Sequence, residues 1–132
     1  MSARVARTMA GSLVNPAIDL INRAYDAVLA SDDAALRRTM TTGVQWRADA
    51  GPLGGAQNLN GIQQVADYLF WPDRVRDYGA LTITSRAIGI RPGTNIYSAS
   101  HVFVTATQRI TVHLTIRVQA EPLLIDDVKQ TF

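Results

Sequence analysis

The sequence Ile110-Thr-Val-His-Leu-Thr-Ile-Arg-Val-Gln119 alternates apolar and polar residues at every position. Successive side chains of a β-strand point to opposite faces, so this period predicts a strand with one buried and one exposed face. Two further strand-like segments, Tyr78–Arg91 and Asn95–Thr107, precede it. They are joined by Arg91-Pro-Gly-Thr94, which carries Pro and Gly at the second and third positions of a type II turn. Residues 78–120 therefore predict three consecutive antiparallel strands.

The N-terminal half predicts the helices that cover the apolar face of this sheet. Asn15 is a good N-cap, and Pro16 suits the first helical position because its missing N–H has no partner there. Pro72 ends the third helix, and Glu121-Pro122 interrupts the chain before the last strand. We expect one α+β domain over residues 15–132, with three helices packed on a curved antiparallel sheet. The predicted elements are a flexible arm at 1–14, helices at 16–30, 33–40 and 62–70, a short strand at 44–49, a Gly-rich loop at 50–60, the three long strands and a short edge strand at 123–132.

Composition narrows the class of protein. The chain of 132 residues is 47% hydrophobic and 18% charged, which is typical of one globular domain. There is no cysteine, which excludes disulfides and thiolate ligands, and histidines are too few for a metal site. The thirteen lysines and arginines are dispersed rather than clustered, which argues against nucleic acid. No secretory signal or membrane span is recognisable, so we expect a cytoplasmic protein.

Several sequence segments resemble those of the nuclear-transport-factor-2-like superfamily, which includes ketosteroid isomerases and the SnoaL-like polyketide cyclases. The helix phrase Tyr25-Asp-Ala-Val-Leu-Ala-Ser-Asp-Asp33, followed by Ala35-Leu36, is similar to a pattern of that group. So are Val44-Gln-Trp46, the Gly51-Pro-Leu-Gly-Gly55 loop and Gly61-Ile62. The resemblance implies a cone-shaped α+β barrel around a pocket, small apolar substrates, no cofactor and a homodimer formed through the outer sheet face.

The resemblance also suggests two catalytic residues. In ketosteroid isomerases a carboxylate at the end of the first strand removes a proton beside a carbonyl, and a tyrosine on the first helix contributes to the site. Asp49 and Tyr25 occupy similar places here. Asp49 has the wrong parity to share a face with Trp46 unless a bulge intervenes, so a capping role at the start of the loop stays open.

Strand pairing predicts which side chains face the pocket. If Pro92-Gly93 and Thr107-Gln108 are two-residue turns, His101 lies opposite Thr84 and Leu114. His101 is then either a general acid or base or a hydrogen-bonded structural histidine, and Arg86 is a fixed cation for a developing enolate. His113 falls on the opposite face. The residues expected to line a substrate cavity, with core packing as the alternative, are Trp46, Tyr68, Ile88, Tyr97, Phe103, Val112 and Leu114.

Two classes of function fit these observations. The first is a cofactor-independent enzyme that cyclises, isomerises or dehydrates a small apolar or polyketide-like compound, with His101, Arg86, Asp49 and Tyr25 as its acid–base and charged groups. The second is a non-catalytic module of the same fold that binds a small ligand or docks a protein. A purely dimeric scaffold without a cavity is a third possibility.

Overall fold

Three helices and six strands make up the described part of the chain, residues 15–51, 55–70, 82–104 and 108–132, in a computed structural model. The predicted arm at 1–14 lies outside these residues. The elements in chain order are α1 (Pro16–Leu29), α2 (Asp33–Arg37), β1 (Met40–Ala48), β2 (Gln57–Asn60), α3 (Ile62–Leu69), β3 (Thr82–Ile90), β4 (Ile96–Val104), β5 (Arg109–Gln119) and β6 (Leu124–Thr131).

Helix α1 begins as its sequence predicts. The side-chain Oδ1 of Asn15 accepts hydrogen bonds from the backbone N–H groups of Ala17 and Ile18, at 2.9 and 3.3 Å. These bonds satisfy donors that the first turn of a helix leaves without partners. The apolar stripe of α1, which includes Ile21 and Tyr25, is buried against the rest of the core. Among the described residues, no helix is long and apolar enough to cross a membrane.

The strands form a single sheet in the order β2-β1-β6-β5-β4-β3. All neighbouring pairs are antiparallel except β1 and β6, which run parallel, so the sheet is mixed where an antiparallel one was expected. The prediction that the last strand lies at an edge is wrong. Strand β6 lies between β1 and β5, because its residues pair with Trp46 on one side and Ile116 on the other through Val128.

The alternation in β5 is confirmed, since Ile110, Val112, Leu114, Ile116 and Val118 are all buried and the residues between them up to Arg117 are exposed. The Pro-Gly turn is confirmed as well: Gly93 has a φ of +76°, and the Thr94 N–H donates to the Arg91 carbonyl. The turn closes on Arg91 and Ile96, however, so the loop holds four residues instead of two.

The longer loop shifts the β3–β4 register by two residues, and the β4–β5 register is separately shifted by two, since its pairing begins at Val104 and Arg109. His101 lies opposite Arg86 on β3 and Val112 on β5, where Thr84 and Leu114 were expected. A shift of two residues preserves parity, because side chains on a strand repeat with a period of two. His101 therefore points to the buried face, as predicted, with a different pair of neighbours.

Candidate functional site

An apolar cavity of about 70 Å³ lies between the inner face of the sheet and the helices. A buried water needs about 10–15 Å³, so this space admits a small organic group. Almost all of the wall is hydrocarbon, and its polar atoms come from a few side chains. The lining residues are Ile21, Ala24, Tyr25, Val28, Leu36, Met40, Trp46, Tyr68, Leu69, His101, Val112, Leu114, Ile116, Ile125, Val128 and Gln130.

A tyrosine and a histidine form a hydrogen-bonded pair in this wall. The Tyr25 hydroxyl on α1 lies 2.7 Å from Nδ1 of His101 on β4, and both side chains are buried. The two rings meet edge to face, with centroids 5.1 Å apart. The hydroxyl donates if Nδ1 is unprotonated and accepts if Nδ1 carries the proton. A buried pair that exchanges donor and acceptor roles is suited to hold or transfer a proton.

Burial keeps both members of the pair uncharged. It lowers the pKa of His101 to about 4, with a smaller contribution from the positive charge of His113. It raises the pKa of Tyr25 well above its usual value, and the positive charge of Arg86 partly opposes this increase. Desolvation disfavours the charged form of each group, so imidazole and phenol are both neutral at pH 7.

Arg86 lies next to this pair and outside the cavity wall. It is opposite His101 in the β3–β4 pairing, and its guanidinium lies 5.2 Å from the centroid of the Tyr25 ring. Its Nη2 donates to the Asp26 carboxylate at 2.6 Å, and 29% of the Arg86 side chain is exposed. Arg86 was expected to stabilise an enolate inside the pocket; in the structure its charge is paired with Asp26 on α1, and its guanidinium lies over the Tyr25 ring.

A second polar group in the wall joins three elements. Nε1 of Trp46 on β1 donates to Oε1 of Gln130 on β6 at 3.0 Å. The Gln130 amide nitrogen donates to the Tyr68 hydroxyl on α3 at 3.4 Å, and the Trp46 and Tyr68 rings are 6.4 Å apart. Gln130 is 4% exposed, so its carboxamide is desolvated. Trp46 and Tyr68 were predicted to line the cavity, and both do.

Gln130 was absent from the sequence-based site. The strand 123–132 was expected at the edge of the sheet, where an exposed glutamine is common. Its apolar neighbours Ile125 and Val128 are separated by Asp126 and Asp127, so strict alternation is broken and the sequence does not indicate the strand's place in the sheet. The pairing with β1 that brings Gln130 to Trp46 spans 84 residues of sequence.

The other predicted site residues lie in different places. Val112 and Leu114 line the cavity. Tyr97 is buried and Ile88 half-buried in the core, and neither is part of the cavity wall. The backbone of Phe103 on β4 pairs with that of Ile110 on β5, and the side chain of Phe103 is not among the described parts of the structure.

Asp49 is exposed just beyond the end of β1, away from the cavity wall. Its backbone N–H donates to the Gln130 carbonyl at 3.0 Å, which continues the β1–β6 pairing. This pairing fixes the alternation of side chains, with Trp46 and Ala48 buried, so Asp49 falls on the exposed face. The position anticipated for a catalytic carboxylate is therefore a strand end that faces solvent.

No protein-family model matches the chain, and neither does any curated protein sequence. Solved structures do match. TerC crystallised with polyporic acid is 18% identical with a TM-score of 0.64, and the match covers 89% of this chain and 92% of TerC. A candidate polyketide cyclase from Xanthomonas campestris pv. campestris is 15% identical with a TM-score of 0.62, covering 88% and 89%.

A third match is a protein of unknown function from Burkholderia pseudomallei K96243 that is described as NTF2-like. It is 13% identical with a TM-score of 0.60, and the match covers 90% of this chain and 92% of that one. Such low identities establish a common architecture and leave activity open. On these likenesses and on the order of its helices and strands, the chain has the nuclear-transport-factor-2-like fold.

Proposed function

We propose that the protein is a cofactor-independent enzyme that acts on a small apolar compound with at least one oxygen substituent. The reaction class is an acid–base isomerisation, cyclisation or dehydration of a polyketide-like or other apolar natural product. The observation that carries this proposal is the buried Tyr25–His101 hydrogen bond in the wall of an apolar cavity. Titratable pairs with strongly shifted pKa values in such a cavity are candidates for proton transfer.

The two tautomers of His101 give the pair two useful forms. If Nδ1 carries the proton, His101 donates to the Tyr25 oxygen, and the Tyr25 hydroxyl proton is left for a substrate oxygen. If Nε2 carries the proton, Tyr25 donates to Nδ1 and fixes the tautomer and orientation of the imidazole. The first form stabilises negative charge on a carbonyl oxygen while a neighbouring C–H bond breaks.

The low pKa of His101 suits the imidazole to act as a general base. Above about pH 4 the imidazole is neutral and can accept a proton. An imidazolium formed in this desolvated wall is a strong acid, so it returns the proton readily to a carbon or a departing hydroxyl. One neutral histidine can thus take and return the same proton in an isomerisation.

One observation favours a different class of function, a non-catalytic ligand-binding module. Among the described residues that line the cavity there is no aspartate or glutamate. The carboxylate base expected at Asp49 is at the surface. TerC, with the same fold, was crystallised with the small molecule polyporic acid, which supports small-ligand binding and leaves turnover undetermined.

Binding and turnover can be tested on the same variants. The Trp71→Phe protein keeps Trp46 as its single tryptophan, and Trp46 lines the cavity, so its fluorescence reports a bound compound. A panel of flat apolar ketones, phenols and lactones would be titrated into this protein and into its Tyr25→Phe and His101→Gln derivatives. His113→Gln is the matched control, because His113 is the only other histidine and is exposed on the opposite face.

Each compound that binds is then incubated with the protein and followed by NMR for isomerised, cyclised or dehydrated product. An enzyme gives product that His101→Gln loses while affinity changes little and His113→Gln stays normal. Binding without product supports the binding module. If no compound changes the fluorescence or the melting temperature, the small-molecule proposal is wrong in both forms.

A further inference from the structure

The second polar group of the cavity, the carboxamide of Gln130, has hydrogen-bonding capacity that the described residues do not use. The indole of Trp46 can only donate, so the group that it contacts must be the amide oxygen. This fixes the orientation of the amide and directs its nitrogen away from Trp46. The nitrogen carries two N–H donors. Within residues 15–51, 55–70, 82–104 and 108–132 it makes one hydrogen bond, to the Tyr68 hydroxyl at a long 3.4 Å.

A buried donor without a good acceptor is unfavourable, and native proteins rarely retain one without a reason. Gln130 is 4% exposed and lines a wall that is otherwise hydrocarbon, so bulk water does not solvate its amide. An acceptor atom inside the cavity would satisfy the remaining N–H. The acceptor can be a ligand oxygen or an ordered water, and these two occupants have different consequences for ligand selectivity.

The position of Gln130 relative to His101 defines the shape of such a ligand. Gln130 pairs with Leu114, and Leu114 pairs with Ala99, two residues before His101 on β4. Two strand spacings and a two-residue step place the Cα atoms of Gln130 and His101 about 12 Å apart. Both side chains lie on the inner face, with the apolar side chain of Leu114 beside Gln130 on the adjacent strand.

We infer that Gln130 is a second ligand-binding subsite and that the cavity takes a compact, essentially neutral aromatic compound with an oxygen at each end. The inference rests on the proposed small-molecule function. One oxygen contacts the Tyr25–His101 pair, and the other accepts the unused N–H of Gln130. The apolar ring fills the hydrocarbon between them, and the cavity volume of about 70 Å³ favours a single ring.

Three compounds of similar size test this geometry by isothermal titration calorimetry. 4-Hydroxyacetophenone has an oxygen at each end, 4-methylacetophenone replaces the hydroxyl by a methyl, and 4-ethylphenol lacks the carbonyl oxygen. We expect the wild-type protein to bind the first compound roughly five- to tenfold more tightly than either of the others, as one additional hydrogen bond allows.

Two substitutions of Gln130 test whether its N–H donors cause this preference. Gln130→Met removes both polar groups at similar length, whereas Gln130→Glu keeps an oxygen for Trp46 and replaces the two N–H donors by the single O–H of a buried, protonated carboxyl. In the folded Gln130→Met variant the preference for 4-hydroxyacetophenone should fall to about twofold or less. Gln64→Glu is the matched control, because Gln64 is exposed and its oxygen, which accepts the Asn60 N–H, is retained.

Failure of the Gln130 subsite gives a different result from failure of the proposed small-molecule function. Equal binding of all three compounds by the wild-type protein overturns the Gln130 subsite and leaves the pocket in place; a water then holds the free N–H. A preference that survives Gln130→Met also overturns the subsite. Failure of every compound to bind overturns the proposed small-molecule function together with the inference.

Discussion

His101 is a histidine that folding holds in its neutral form, because burial in the cavity wall lowers the pKa of its imidazole. Its inward direction could be predicted, because the alternation of β4 and the even length of each loop preserve parity. Its partner on α1 could be suggested only by resemblance, since no pattern in the strands indicates which helix residue lies above them. The contact joins residues 76 positions apart.

The pKa of His101 predicts how stability depends on pH. The folded value is about 4 and the unfolded value is 6.5. Between these values only the unfolded chain binds the proton. The contribution of His101 to the free energy of unfolding is therefore fully present above pH 6.5 and decreases as the pH falls toward 4. The loss attributable to His101 is up to about 3 kcal/mol. It is measured as the difference in urea-unfolding free energy between pH 7 and pH 4.5.

The same measurement on two variants isolates this contribution from the carboxylates that titrate in the same range. His101→Gln should have a visibly smaller loss of stability between pH 7 and pH 4.5 than the wild-type protein. His113→Gln should retain most of the loss, because the buried histidine is still present. An unchanged pH dependence in His101→Gln would show that the imidazole is not held neutral.

At the scale of elements, the boundaries that sequence predicted well are those with local chemical signals. Asn15-Pro16 starts α1, and the Pro-Gly turn joins β3 to β4, as predicted. Strand β2 was missed and placed in a loop, because Gln57-Asn-Leu-Asn60 has neither a run of apolar residues nor β-branched ones. It forms because β1 offers a free edge, which is a property of the assembled sheet.

Gly61, which joins β2 to α3, provides a prediction at this scale. Its φ of +92° and ψ of +154° lie in a region that almost only glycine adopts, and its N–H donates to the Val44 carbonyl. Gly61→Ala should lower the free energy of unfolding by about 1–3 kcal/mol. Gly43→Ala is the control, since an added Cβ there meets nothing within 4 Å and its φ is ordinary. Equal effects of the two substitutions on urea unfolding would contradict the backbone argument.

At the scale of the whole molecule, the outer face of β4 and β5 is the surface where the expected homodimer would form. It presents small polar and apolar side chains such as Ser98, Val102 and Thr115. Two of the nearby cations are paired, Arg117 with Asp126 at 2.9 Å and Arg47 with Asp127 at 2.7 Å. Small side chains of this kind allow two such faces to pack closely.

Thr115→Arg tests the homodimer, because twofold symmetry brings two copies of any residue near the axis together and two arginines there repel. Light scattering after size exclusion should give twice 14.4 kDa for the wild-type protein and a mass near 14.4 kDa for Thr115→Arg. Leu29→Arg, on the exposed end of α1, should leave the dimer intact. A wild-type monomer, or dissociation by Leu29→Arg instead, would place the interface elsewhere or remove it.

The position of β6 predicts how the whole domain depends on its C-terminus. An edge strand can be removed and leave a continuous sheet, whereas β6 joins β1 and β2 to the meander of β3, β4 and β5. Its buried Ile125 and Val128 also form part of the cavity wall, and Gln130 holds Trp46. A chain that ends after Ala120 should therefore lose cooperative unfolding altogether, as followed by circular dichroism in urea. Removing Phe132 alone, which is 37% exposed beyond the end of β6, should keep it. A truncated chain that still unfolds in one sharp transition would mean that β3, β4 and β5 are stable with the helices alone, as the sequence-based placement of the last strand at the edge implied.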